Sequence, residues 1–221
     1  MMKKTLNIID ILLLTLIFFG SPIYDSLQQY VELQQIGQEI PTEWALSDQD
    51  NYDLLIFEMI ALFVAFIYLR WRHFDFKQLN FSVNKWTLPL ALLFILLSGG
   101  ITHLFYSLMP LLMDETDLSP KLDILSYFSF SLILVALLNG FYEEVYFLGL
   151  IFAVPKNRLI YVVIFSLVVR FLFHTYQGLF SAVGVALFGI ILVFLRWRFS
   201  VLIPFMLAHS FFDVFGLGLP F

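Results

Sequence analysis

The chain contains no cysteine and few charged residues. Without cysteine it can form no disulfide, and it has no thiolate to serve as a nucleophile or a metal ligand. Charged residues make up 13% of the 221 positions and hydrophobic residues 61%, whereas a soluble domain is usually about 25% charged. The twelve lysines and arginines are not gathered into a basic surface, so no nucleic-acid partner is expected. The composition indicates a membrane protein.

Hydrophobic runs long enough to cross a bilayer recur along the sequence. Seven candidate spans are predicted, at Leu6–Tyr24, Leu54–Leu69, Trp86–Met109, Ile124–Val154, Leu159–His174, Leu179–Leu195 and Val201–Leu217. The runs are continuously apolar rather than alternating, and a chain in lipid must satisfy its own backbone hydrogen bonds. The predicted fold class is therefore an all-α membrane protein, a polytopic bundle of about seven transmembrane helices surrounded by membrane lipid.

Basic and acidic residues fall in alternate loops along this series of spans. Basic clusters precede the first span and separate the second from the third, the fourth from the fifth, and the sixth from the seventh. The positive-inside rule therefore predicts a cytoplasmic N-terminus and an external C-terminus. We expect one transmembrane domain over residues 1–221. Residues 1–123 form its N-terminal spans, with an external acidic loop at 25–53, and residues 124–217 form its core.

Two adjacent carboxylates, Glu143 and Glu144, interrupt the fourth apolar run. A charge at membrane depth is costly, so such a residue is a functional-site hypothesis by default. Asp10 and Glu58 lie near span ends and are interpreted as structural. The remaining strongly polar side chains of the C-terminal spans are Arg170, His174, His209 and Asp213. Arg170 and His174 have i, i+4 spacing, and so do His209 and Asp213, which places the two members of each pair on one helical face. We therefore expect a shared polar site.

This set of side chains is suited to more than one kind of chemistry. A carboxylate beside a histidine can act as a general base on water. Carboxylates and imidazoles can also bind a divalent metal such as zinc and leave a position open for water. Thr175 and Ser210 diverge by about 100° from the neighbouring histidines, so activated water is favoured over a hydroxyl nucleophile. A proton-coupled transporter is an alternative, although the internal repeats of many transporters are lacking.

The spacing of these residues resembles three motifs of the CPBP family of intramembrane proteases, also called Abi. The family includes CAAX prenyl endopeptidases and proteins linked to bacteriocin processing and immunity. Its motifs are Glu-Glu-x-x-x-Arg, Phe-x-x-x-His, and His-x-x-x-Asn or Asp. The corresponding segments are Glu143-Glu144-Val145-Tyr146-Phe147-Leu148, Arg170-Phe171-Leu172-Phe173-His174 and His209-Ser210-Phe211-Phe212-Asp213. The similarity extends over roughly residues 125 to 215.

The resemblance implies an intramembrane endopeptidase of a bacterial plasma membrane that cleaves a membrane-delivered peptide, prenylated or bacteriocin-like. It implies that Glu143 and His174 activate the hydrolytic water and that Glu144 orients them. His209 and Asp213 would stabilise the oxyanion or complete a metal site. If a divalent metal is bound, its ligands would be Glu143, His174 and His209. A metal-free mechanism is equally compatible with these residues.

Two positions depart from the family pattern. Leu148 stands where the first motif has arginine, and Arg170 stands where the second motif begins with phenylalanine. One hypothesis is that Arg170 supplies the missing cation from the neighbouring helix. The other is that catalysis has been weakened or lost, which would make the chain a non-catalytic bacteriocin-immunity or scaffold protein of the same family.

Overall fold

The computed structural model describes residues 5–35, 47–113 and 129–217. This part of the chain is helical and contains no strand. Its α-helices are α1 Ile8–Gln35, α2 Asp48–Trp71, α3 Thr87–Met113, α4 Phe130–Glu144, α5 Lys156–Leu172, α6 Leu179–Arg198 and α7 Ile203–Phe215. Each predicted span overlaps one of these helices, so the prediction of an all-α bundle is confirmed.

Five of the helical segments are long and apolar enough to cross a membrane: Ile8–Gln35, Asp48–Trp71, Thr87–Leu108, Phe130–Ala153 and Leu179–Arg198. Their outer faces expose large apolar side chains, such as Leu16, Phe63 and Leu96, as contact with lipid requires. The chain is therefore a multi-pass membrane protein. α5 has 17 residues and α7 has 13, and a 13-residue helix is only about 20 Å long.

Hydrogen bonds at the two ends of the bundle fix the direction of the helices. At one end they join Leu6 N–H to Ala153 O, Arg72 to Asp10, and Leu202 N–H to Asn80 O. At the other end they join Ser26 to Thr175 and Asn51 to Ser131. Consecutive helices thus alternate in direction, and the basic loops within the described residues share the first end. This arrangement is the one that the predicted orientation requires.

α4 and α7 approach each other closely at Gly140. A Cβ atom there would lie 2.7 Å from the carbonyl oxygen of Met206 and 2.9 Å from the amide nitrogen of Ser210. The two backbones are therefore in direct contact, which a larger residue would prevent. Because Gly140 precedes Glu144 by about one turn and Ser210 follows His209, this contact brings the acid pair next to the histidine.

The fourth predicted span changes its helical pitch directly after the acid pair. α4 ends at Glu144 and continues as a π-helix, Val145–Leu150, and a 3₁₀-helix, Ile151–Ala153. π-helices are rare and occur frequently at functional sites. The Arg196 Nε–H donates to the carbonyl oxygen of Leu148 at 2.9 Å, inside the π-helix. A buried arginine from α6 thus satisfies a backbone acceptor in this irregular segment.

The fifth span is shorter than predicted at its C-terminal end. α5 ends at Leu172, so His174 lies in the turn before the 3₁₀-helix Thr175–Gln177. Its Nδ1 is 2.9 Å from the carbonyl oxygen of Arg170, an acceptor that the end of a helix leaves without an intrahelical partner. The prediction that Arg170 and His174 share a helical face is wrong, because the histidine binds the backbone of the last turn.

The predicted external acidic loop, residues 25–53, is helical at both ends. α1 continues to Gln35 and α2 begins at Asp48. Ser47 and Asp50 form a capping box at the start of α2. The middle of the loop, 36–46, and the second acidic region, 114–123, lie outside the described residues, as does the predicted start of the fourth span, 124–128.

Candidate active site

Glu144 is fully buried and binds two nitrogen donors from other helices. Its Oε1 accepts hydrogen bonds from Arg170 Nη2 at 2.9 Å and from His209 Nδ1 at 2.6 Å. A buried carboxylate is tolerated when it is paired in this way. Because a carboxylate only accepts, Nδ1 of His209 carries a proton. One glutamate thus ties α4 to α5 and α7 and fixes the orientation of the imidazole.

Glu143 lies beside the same two groups without hydrogen bonding to either of them. Its Oε2 is 3.7 Å from Arg170 Nη2 and 3.7 Å from His209 Nε2. This oxygen is buried and has no hydrogen-bond partner among the described residues. The adjacent glutamates therefore differ in kind. Each keeps a buried Oε2 without a hydrogen-bond partner among the described residues. Glu144 anchors the site through Oε1, whereas Oε2 of Glu143 lies beside two cationic or potentially cationic groups.

Arg170 is buried within the protein and is held between aromatic rings. Its guanidinium carbon lies 4.1 Å from the ring centre of Phe147 and 5.8 Å from that of Phe188. A Cβ atom at position 189 would lie 2.8 Å from Arg170 Cδ, so Gly189 makes room for the arginine. The cation that Leu148 cannot provide is therefore present beside the acid pair, and it comes from α5.

His209 links the acid pair to a more open side of the site. Its Nε2 is 3.5 Å from Asp213 Oδ1, and Asp213 Oδ2 accepts a hydrogen bond from Asn139 Nδ2 at 3.1 Å. Side-chain exposure falls from 24% at Asp213 to 7% at His209 and 0% at Glu144. The site is thus closed at Glu144 and Arg170 and opens toward Asp213.

Two polar residues near this site are missing from the sequence-based set. Asn139 precedes Glu143 by four residues on α4, so i, i+4 spacing could have indicated it. Glu58, interpreted above as structural, is buried on α2, and its Oε2 has no hydrogen-bond partner among the described residues. It lies within electrostatic range of Glu143, Asp213 and His209. No spacing rule links α2 to the C-terminal helices.

Five of the six predicted site residues are joined through their side chains, whereas His174 makes no ion pair or hydrogen bond with the other five side chains among the described residues. Within the described residues, ion pairs or hydrogen bonds join Glu143, Glu144, Arg170, His209 and Asp213 into one cluster. No ion pair joins His174 to a described acid; its Nδ1 binds the Arg170 carbonyl and its ring lies 4.1 Å from that of Phe173. The participation of His174 in water activation stays a prediction.

The three predicted metal ligands, Glu143, His174 and His209, do not form a metal-binding group, although Glu143 and His209 are neighbours. Among the described residues no group of three or more acidic or histidine side chains is arranged to hold a metal ion. His209 Nδ1 is committed to Glu144, and the Arg170 guanidinium lies beside Glu143, where it would repel a second cation. The residues of this site therefore do not fit a divalent metal such as zinc.

The segment that carries the site matches a known family. Residues 125–215 match the family model described as type II CAAX prenyl endopeptidase Rce1-like. No curated protein and no solved structure gives a significant match to the chain. The matched segment covers α4 to α7 and all three motifs. Its limits agree with those of the resemblance to CPBP proteins, which is thereby confirmed. Residues 125–215 are therefore similar to the Rce1-like, or CPBP, family of prenyl endopeptidases.

Proposed function

We propose that the chain is an intramembrane endopeptidase that hydrolyses a peptide bond with a water molecule activated by Glu143. The observation that carries this proposal is the free acceptor Oε2 of Glu143, buried 3.7 Å from both Arg170 Nη2 and His209 Nε2. A buried acceptor without a partner is costly. A water molecule bound to it would remove that cost and would be positioned for reaction.

In this mechanism Glu143 is the general base. Its Oε2 takes a proton from the water as the water oxygen bonds to the carbonyl carbon, and the C=O electron pair moves onto the carbonyl oxygen. The electron pair on that oxygen then re-forms the C=O bond as the C–N bond breaks, and the proton passes from Glu143 to the departing amide nitrogen, which restores the carboxylate. A positioned general base typically contributes about 10²–10⁴-fold to the rate.

The groups around Glu143 stabilise the charges that are present or develop during this reaction. Glu144 receives Nδ1–H of His209, so the other imidazole nitrogen, Nε2, is turned toward Glu143 and Asp213. A protonated His209 balances part of their negative charge and donates from Nε2 to developing charge on the substrate. Arg170 keeps Glu144 ionised and in place. His174 is assigned to orienting the water, a role that rests on the family motif.

The proposed substrate is a peptide held in, or delivered to, a bacterial plasma membrane, either prenylated or bacteriocin-like. The more exposed side of the site, at Asp213, gives it a way to reach Glu143. A non-catalytic immunity or scaffold role is the second candidate, and Leu148 is the observation that favours it. Arg170 weakens that argument, because it pairs with Glu144 from another helix.

The test is hydrolysis by the full chain reconstituted in lipid vesicles. The probes are a prenylated CAAX-type peptide and its unprenylated form, each with a fluorophore and a quencher on opposite sides of the scissile bond. Glu143→Gln should lower kcat at least about 100-fold, as loss of a general base does. Glu32→Gln, which alters an exposed acid on α1, is the matched control and should cleave normally.

Two outcomes would contradict this function. Normal cleavage by Glu143→Gln would remove Glu143 from the mechanism. Failure of the wild-type protein to cleave either peptide, while it still protects a host from a bacteriocin, would favour the non-catalytic role. A chelator should leave the rate unchanged, because the donor set does not fit a divalent metal.

A further inference from the structure

Asn139 lies on the side of α4 that carries Glu143, one helical turn away. It belongs to none of the three motifs. Its Nδ2 donates a hydrogen bond to Asp213 Oδ2 at 3.1 Å, and its side chain is half-buried. The amide is therefore at the open side of the site, between the acid pair and the end of α7.

Asp213 fixes the orientation of this amide. An ionised carboxylate only accepts hydrogen bonds, so the amide nitrogen rather than the amide oxygen must face it. The other oxygen of Asp213, Oδ1, lies 3.5 Å from His209 Nε2. Asp213 thus stands between two nitrogen donors, one on α4 and one on α7. It orients both of them.

One N–H group of the Asn139 amide is not used in a hydrogen bond with the described residues. Its nitrogen carries two N–H groups, and the bond to Asp213 uses one of them. The amide makes no other hydrogen bond with the described residues. The second N–H belongs to an amide that is held in place by a carboxylate, and the same carboxylate faces His209 Nε2. It is a preorganised donor for an oxygen atom on which negative charge develops.

We infer that Asn139 is a further catalytic residue and that its free amide N–H donates to the carbonyl oxygen of the scissile bond. This inference rests on the proposed function. As water adds to the carbonyl carbon, the electron pair that moves onto the oxygen is stabilised by the Asn139 N–H and by His209 Nε2. No proton is transferred to that oxygen. Asp213 is a positioning residue that acts through both donors.

The test compares the cleavage of the prenylated peptide by Asn139→Ala and by the double variant Asn139→Ala/Asp213→Asn in vesicles. Asn139→Ala should lower kcat by about 100-fold with little change in KM, the typical result of removing one oxyanion donor. The double variant places an amide at position 213, next to His209, and restores no bond between positions 139 and 213. Its kcat should be at least about tenfold higher than that of Asn139→Ala.

A different result is expected if the hydrogen bond between Asn139 and Asp213 only holds α4 and α7 together. Without the 139–213 hydrogen bond, the double variant should then be no faster than Asn139→Ala, which would overturn the inference. Wild-type kcat in Asn139→Ala would overturn it as well. Asn51→Ala is the matched control, because Asn51 Nδ2 donates to Ser131 and so links α2 to α4 outside the site. It should lower the thermal stability without the 100-fold loss of kcat.

Glu143→Gln, measured in parallel, separates the two proposals. If Glu143→Gln is inactive while Asn139→Ala cleaves normally, the inference about Asn139 fails and the proposed function stands. If Glu143→Gln cleaves at the wild-type rate, the proposed function fails, and the role of Asn139 fails with it.

Discussion

Arg170 on α5 donates a hydrogen bond to Glu144 on α4 at 2.9 Å, in a pair with almost no exposure to solvent. The family motif would place a cation four residues after Glu144, on the same helix, where this chain has Leu148. Arg170 on the neighbouring helix supplies a cation instead. The acid pair therefore still has a cationic partner, although the first motif lacks its arginine in the sequence.

Arg170→Leu should therefore remove both stability and activity. It would leave Glu144 buried with His209 as its remaining partner, and breaking a buried ion pair typically costs about 3–5 kcal/mol. The free energy of unfolding in detergent and the rate of peptide cleavage would both be measured. Arg158→Leu removes an exposed arginine from the first turns of the same helix and is the control. Normal folding and cleavage by Arg170→Leu would contradict the compensating role of Arg170.

Gly189→Ala tests the same pair without removing a charge. The added Cβ would lie 2.8 Å from Arg170 Cδ, and the packing of Arg170 against Phe147 leaves the arginine little freedom to move away. We expect a loss of about 1–3 kcal/mol from overpacking, together with a lower cleavage rate because the guanidinium shifts relative to Glu144.

Gly100→Ala is the matched control for this substitution. It adds the same methyl group to α3, where the new Cβ would meet nothing within 4 Å beyond its own stretch of helix, and alanine favours a helix over glycine. This variant should be as stable as the wild type or more stable. Equal behaviour of the two alanine variants would show that Gly189 does not hold space for Arg170.

Neutralising Asp10 and neutralising Glu58 should have different effects on the thermal unfolding midpoint. Asp10 accepts hydrogen bonds from Arg72 at 2.6 and 3.0 Å and from Tyr68 at 2.7 Å, so Asp10→Asn should lower the unfolding midpoint. Glu58 is buried, and its Oε2 has no hydrogen-bond partner among the described residues; a buried acid without such a partner is costly. Glu58→Gln should therefore leave the midpoint unchanged or raise it. A large fall in Glu58→Gln would point to a partner of Glu58 outside the described residues.

Hydrophobic runs predict the seven helices because each helix must be apolar where it meets lipid. The acid pair is predictable for the same reason, since charges inside such runs are exceptional. The positions of Asn139 and Glu58 depend on how each helix is rotated about its axis. Packing decides that rotation, above all the close approach of α4 and α7 at Gly140. The C-terminal end of α5 likewise depends on a local contact, between His174 Nδ1 and the Arg170 carbonyl oxygen.

The π-helix after Glu144 is the feature that hydrophobic periodicity could not indicate, because every residue from Val145 to Leu150 is buried. Arg196 supports this segment. Its Nε–H donates to the carbonyl oxygen of Leu148 at 2.9 Å, and its Nη1–H donates to that of Phe199 at 3.0 Å. Arg196→Leu would leave the buried Leu148 carbonyl without this donor, which costs about 1–3 kcal/mol. The pitch of the helix beside Glu144 should change, and the cleavage rate should fall with it.

Arg196→Lys separates the hydrogen bonds of Arg196 from its charge. A lysine keeps the charge, but its single ammonium group lacks the planar fork that serves two carbonyl oxygens at once. We therefore expect Arg196→Lys to lie between the wild type and Arg196→Leu in both stability and cleavage rate. Arg198→Leu, two residues further along α6, removes an exposed arginine and should change neither. If Arg196→Leu cleaves the peptide at the wild-type rate, the π-helix does not depend on Arg196 for the geometry that positions Glu143 and Glu144.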